Sequence, residues 1–212
     1  MMSRRHVAFA LAAAGAAGVL PRRSFAQAKQ ADVLSRDSVL RDPAAPVVGN
    51  ASADFAIVEY FDYQCPACKQ VRPVLQQVVK EDGKIRLVLK DWPIFGDMSR
   101  NAARLALAAK YQGKYEQAHV ALFSATSRLT DQSMRDLLAE GGVDVAKALA
   151  DLESNGQEID SLLKRNDTQA TAFGFPGTPA FIVGTFRVPG VLNAAAFKQA
   201  IKDARAAARK KN

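Results

Sequence analysis

Three kinds of hydrophobic pattern follow one another along the chain. "FAIVEYF" (55–61) is a short, almost uninterrupted run of β-branched and aromatic residues, which predicts a strand buried on both faces. From Pro66 the period lengthens. Val71, Val74, Leu75 and Val78 fall on one face of a helix, with Lys69, Arg72, Gln76 and Lys80 pointing elsewhere. Pro66 suits a first helical turn, Pro73 is expected to kink the interior by removing a backbone donor, and "DGK" (82–84) ends the element. "IRLVLKDW" (85–92) reads as a second, parallel strand, so the three segments form a βαβ unit.

Residues 98–173 carry helical stripes and no strand signal: Ala102-Leu105-Ala106-Ala109, then Tyr115-Ala118-His119-Leu122, then three further leucine-rich stretches. "GFPGTPAFIVGTFRVPG" (174–190) supplies a proline-rich turn, a strand at 180–183, a tight turn at Gly184 and a second short strand. A last helix carries Phe197, Ile201 and Ala204. The expected order is βαβ, helical insert, ββα, an α/β chain.

The beginning of the chain reads differently. "KQADVLSRDSVLRDPAAPVVGN" (29–50) is a polar arm with room for one brief helix, its strong apolar residues being Val33, Leu34, Val39 and Leu40. Before it, Arg4 and Arg5 precede the uncharged run "HVAFALAAAGAAGVLP" and small residues, the pattern of an export signal cut after Ala26 or Ala28. That run is short and alanine-rich, which favours a cleaved signal over the alternative of a membrane anchor. "SRRHVAF" resembles a twin-arginine signal, and the expected location is the periplasm.

Removing residues 1–28 changes the charge. The whole chain has 29 basic and 21 acidic residues, a net +8; the leader takes four arginines and no acid, leaving 25 against 21, or +4. Part of that sits in the tail "KDARAAARKKN", a solvated helical face, and no basic patch is interleaved with aromatics. No nucleic-acid partner is expected.

Both cysteines of the chain stand in "YFDYQCPACK" (60–69), where strand gives way to helix. A disulfide across so small a loop removes little chain entropy and is a poor staple. Cys65 falls where unpaired backbone donors and the positive helix end favour a thiolate, the attacking species in disulfide exchange. Cys68, one turn along and less exposed, is placed to resolve a mixed disulfide. Among rivals, structural zinc needs four ligands, but after removal of His6 with the leader only His119 could join the cysteines. His119 lies on an apolar helical face and reads as a packed, hydrogen-bonded histidine. Covalent haem needs His after the second cysteine, and residue 69 is Lys. Two thiolates holding copper(I) remain an alternative.

"DPAAPVVGN", "VEYFDYQCPACK", "DWPIFG", "NAARLALAA…KYEQAH" and "GFPGTPAFIVG" together make the chain resemble the DsbA-like thiol:disulfide oxidoreductases, particularly the branch of suppressor-of-copper-sensitivity protein C. The resemblance implies a thioredoxin fold with an inserted all-helical subdomain: signal peptide 1–28, arm 29–50, thioredoxin-fold domain 51–97 with 174–212, and insertion 98–173. It implies Cys65, Cys68, a cis Pro179 facing them, and Glu59 as the catalytic set, with Glu59 aiding proton transfer at the resolving thiol. Thr178, Pro66 and Ala67 would contact substrate. Lys90 reads as a solvated strand-end lysine and, more weakly, as a charge partner of Glu59. Ala67 stands where the strongly oxidising DsbA has histidine, so a milder oxidant is expected. No cofactor or metal is implied. The expected partners are unfolded or misoxidised exported proteins and a membrane redox protein. The chain, with so short an arm, is expected to act as a monomer, either as an oxidase or in an isomerase-like role. The alternative is a copper(I)-binding module.

Overall fold

A computed structural model describes residues 33–210. The leader, its cleavage sites after Ala26 or Ala28 and the paired Arg4 and Arg5 lie outside the described residues. The elements in order are α1 (Arg36–Leu40), β1 (Val47–Gly49), β2 (Phe55–Phe61), α2 (Pro66–Asp82), β3 (Ile85–Asp91), α3 (Asp97–Ala109), a 3-10 turn (Lys110–Gln112), α4 (Tyr115–Phe123), α5 (Asp131–Glu140), α6 (Val145–Ala172), β4 (Ala180–Val183), β5 (Phe186–Pro189) and α7 (Ala194–Arg209). The five strands form one sheet in the order β1-β3-β2-β4-β5. β2 and β3 are parallel and the other pairs antiparallel. This is a thioredoxin-like sheet, with α3–α6 entered between β3 and β4.

Strand alternation divides the core. Ile57 and Phe61 of β2, Leu87 and Leu89 of β3, and Phe181 and Val183 of β4 face α2, α7 and the helices of the insert. Ala56, Val58 and Tyr60, with Val88, Ala180 and Ile182, face α1, Trp92 and Phe175 on the other side. Tyr60 Oη donates to Gln169 of α6 at 3.0 Å, and that residue's amide donates to the Val33 and Ser38 carbonyls. The helix α2 runs through Pro73 as a single element and ends at Gly83, whose φ of 65° suits glycine. Gly184 turns β4 into β5 at φ 61°, with Ala204 3.0 Å from where a β-carbon would stand. Among the described residues, no helix is long and apolar enough to cross a membrane.

Two features differ from the expectations. The arm is no loose lead-in, because Val47–Gly49 pairs antiparallel with β3 and closes that edge of the sheet. Three residues are too few for a period of two to show. Lys90, in turn, is neither solvated nor a partner of Glu59. It is wholly buried, and its register opposite Tyr60 places it on the other face from Glu59, which lies opposite Leu89. There its ammonium donates to Asp42 Oδ2 at 3.0 Å and to the Ser38 carbonyl at 3.1 Å. Arg165 of α6 closes a two-bond fork on Asp42 at 3.0 and 3.1 Å. Burial pushes the Asp42 carboxyl up, but Arg165 and Lys90 outweigh it and leave it below the usual range. Burial lowers the Lys90 ammonium to about 8 against the pull of Asp42.

Candidate active site

Cys65 is the N-cap of α2, with extended backbone angles of −74° and 116°, and Pro66 follows in the first turn. Its sulfur accepts a hydrogen bond from the Cys68 amide at 3.2 Å, one of the donors a helix start leaves unpaired. The same sulfur lies 3.3 Å from the Thr178 carbonyl, to which it donates when protonated, and the Thr178–Pro179 peptide is cis. The β2–α2 junction and the 177–179 loop ahead of β4 therefore meet at this sulfur. Cys65 is itself only 2% exposed, and Cys68 is fully buried. Both are free thiols.

The two sulfurs differ electrostatically. Hydrogen bonding from the Cys68 thiol, and from the backbone amides of Cys68 and Ala67, draws the Cys65 thiol down to about 6 despite its burial. Burial, with the adjacent Cys65 sulfur, pushes the Cys68 thiol far up. At neutral pH the pair is a thiolate in front of a protonated thiol, the arrangement that disulfide exchange requires.

Glu59 lies in the middle of β2 on the face that packs against α2, 3% exposed, with Oε1 buried and unpaired among the described residues. Burial raises its carboxyl to about 8; Arg72 opposes this, while Cys65 and Asp91 add to it. Asp91 was absent from the expected site. Parallel register puts it opposite Phe61, hence on the Glu59 face. It is 1% exposed, and it accepts from Tyr115 Oη at 3.0 Å. Burial raises it to about 7. The alternation of β3 contains that placement, but an aspartate ending a strand reads first as a turn residue.

His119 is a buried structural histidine. Its Nδ1 lies 3.2 Å from Tyr63 Oη, it stacks on Tyr115 with centroids 5.8 Å apart, and burial lowers it to about 3. Pro66 and Ala67 open α2 directly after Cys65, and Thr178 meets the Cys65 sulfur through its carbonyl. Asp62, three positions before Cys65, was also missed; its buried carboxylate gathers donors from two loops. Among the described residues, no cluster of three or more His, Cys, Asp or Glu side chains could hold a metal ion.

The model of the DSBA-like thioredoxin domain matches residues 56–202. A thioredoxin-like oxidoreductase from Silicibacter pomeroyi is similar at 38% identity and a TM-score of 0.78, covering 81% of this chain and 98% of that one. The thiol-disulfide exchange protein alpha-DsbA2 from Wolbachia pipientis is similar at 25% identity and a TM-score of 0.75, covering 83% and 96%. The catalytic domain of Proteus mirabilis ScsC shares the fold at 21% identity and a TM-score of 0.72, covering 84% and 98%. Among curated sequences, the Na(+)/H(+) antiporter NhaA 3 of Salinispora tropica is 28% identical over 77% of this chain. The chain spans about a quarter of the length of such relatives, 25% in that case.

Proposed function

The chain belongs to the DSBA-like thioredoxin domain family, and on that premise we propose that it is an exported thiol:disulfide oxidoreductase acting on protein thiols in the periplasm. One observation carries this: the Cys65 sulfur, capping α2, accepts the Cys68 amide while the Cys68 sulfur stays buried behind it. In the oxidising direction, a substrate thiolate attacks Cys65 of the Cys65–Cys68 disulfide. A mixed disulfide forms, the internal S–S bond breaks, and Cys68 leaves as a thiolate. A second substrate thiolate then attacks the substrate sulfur and releases Cys65 as a stabilised thiolate. Two electrons pass from substrate to protein, whose disulfide becomes a dithiol. Glu59, protonated near neutral pH, supplies the proton that buried Cys68 needs on leaving and takes one back on reoxidation. Unfolded exported proteins are the substrates, and a membrane redox protein restores the disulfide.

Separate cysteine variants test this. Cys68→Ala retains the attacking sulfur and accumulates mixed disulfides with thiol proteins on non-reducing gels, while Cys65→Ala traps none and has no exchange activity. Equal loss of copper(I) binding in both variants, with no trapped partner in either, would replace the exchange reading with the copper module.

A further inference from the structure

The surplus positive charge of the chain is gathered at its C-terminal helix. Residues 194–212 hold Lys198, Lys202, Arg205, Arg209, Lys210 and Lys211 against the single acid Asp203, whereas residues 29–193 hold 19 basic and 20 acidic side chains. At about 100° per residue, Lys198, Lys202, Arg205 and Arg209 fall on one narrow stripe of α7. It runs beside the face that Phe197, Ile201 and Ala204 bury. Two of the four are matched by acids at the end of α2. Lys198 pairs with Glu81 at 2.8 Å, and Arg205 closes a fork on Asp82 at 2.6 and 2.7 Å. Lys202 and Arg209 are exposed and have no ion-pair partner among the described residues.

A second basic group lies on the opposite face of the same sheet end. Arg86, at the start of β3, stands opposite Ala56 on the face that α1 covers, and Arg36 and Arg41 bound that helix. The three arginines line one small cavity together with Asp54. None of them has an ion-pair partner among the described residues. Arg86 Nε is buried there without a hydrogen bond, and an orphaned buried donor is costly until an acceptor reaches it. The two groups meet at Phe55, the first residue of β2, where the Arg205 guanidinium lies 4.7 Å over the ring. Cys65 follows the other end of that strand, about 20 Å away.

We propose that this end of the molecule docks on an anionic phospholipid membrane, with a lipid phosphate in the Arg36–Arg41–Arg86 cavity and the α7 stripe over neighbouring headgroups. Guanidinium forks match phosphodiester oxygens, and each Lys or Arg held near an anionic leaflet adds attraction. Basic groups on both faces of one sheet end suit a flat surface, whereas a single bound anion reaches only one of them. Docked in this way, the protein keeps Cys65 turned outward and stays close to the membrane redox protein. The docking adds a location to the proposed exchange activity and does not depend on it.

The test is flotation of the exported protein with vesicles, either of phosphatidylglycerol and phosphatidylcholine in equal parts or of phosphatidylcholine alone. The expected result is binding to the first and none to the second, weakening as salt rises. Lys202→Gln with Arg209→Gln lowers the affinity by about twentyfold. The melting temperature stays unchanged, because neither side chain has a partner to lose. Arg36→Gln with Arg41→Gln, on the other face, lowers the affinity as well. Cys65 of the bound, reduced protein reacts with a soluble thiol reagent as fast as in the free protein. Equal binding to both vesicles, no binding to the anionic ones, or binding unchanged in both double variants would overturn the proposal. A slowed Cys65 reaction would overturn the orientation. Calorimetric binding of inorganic phosphate without any vesicle binding would assign the arginines to a free anion instead. Flotation reads no thiol chemistry, so failure of the exchange reading leaves this result standing, and the reverse holds too.

Discussion

The Cys65 sulfur accepts an amide at the first turn of α2, whereas the Cys68 sulfur lies one turn deeper among apolar side chains. In the proposed exchange, that difference of surroundings makes Cys65 the attacking sulfur and Cys68 the resolving one. Glu59 belongs to the same logic. Its folded pKa, near 8, is raised above the unfolded value of 4.5 chiefly by burial. A raised acid favours folding fully below its unfolded pKa, and that advantage is lost as pH rises through the folded one. Glu59 thus costs stability increasingly from pH 4.5 to 8. Glu59→Gln should raise the stability of the oxidised protein at pH 7.5 by roughly 1–4 kcal/mol, with the gain vanishing near pH 4.5, in melts at both pH values. The same variant should slow exchange about tenfold or more, because no proton waits for Cys68. A stability gain independent of pH would mean that Glu59 is not an ionising buried acid.

At the scale of elements, the segment before the sheet is fastened by an ion cluster rather than by length. Asp42, 4% exposed, joins Lys90 of β3 and Arg165 of α6. Removing one partner of a buried pair leaves an uncompensated charge, and Asp42→Ala should cost about 3–5 kcal/mol in denaturant unfolding. Adding Lys90→Met should recover most of it, since an apolar side chain needs no counter-charge. If the double variant is no better than the single one, the lysine charge is not the source of the loss. Strands β2 and β4, the face of α2 and the capping place of Cys65 were legible in the sequence because each rests on local period or on a proline. Three other features were not. β1 is three residues long, the burial of Lys90 depends on a carboxylate 48 positions away, and the buried Asp62 carboxylate is satisfied by amides more than 30 positions on. Polar groups satisfied across long loops leave no periodic trace, whereas apolar faces do.

For the molecule as a whole, the sheet brings a helix start, a loop before β4 and a buried acid to one sulfur pair, so its redox state and its stability are linked. In the reduced fold, the Cys65 thiol is held down at about 6 and the Cys68 thiol is held up, while both titrate near 9 once unfolded. A depressed acid contributes stability that is fully present above its unfolded pKa and lost as pH falls through its folded one. Between pH 6 and 9 Cys65 makes the unfolded dithiol chain bind about one proton more than the folded one, and its contribution to reduced-state stability climbs by up to about 1.4 kcal/mol per pH unit, while the opposing slope of Glu59 is common to both redox forms. The disulfide form lacks these thiols and does not share the climb. Parallel melts of the two redox forms from pH 5 to 8.5 test the claim that Cys65 is a thiolate built by the fold. The expected result is a reduced protein that gains on the oxidised one as pH rises above 6 and is the more stable form at pH 8. An oxidised protein more stable throughout, with a gap that does not change with pH, would contradict it.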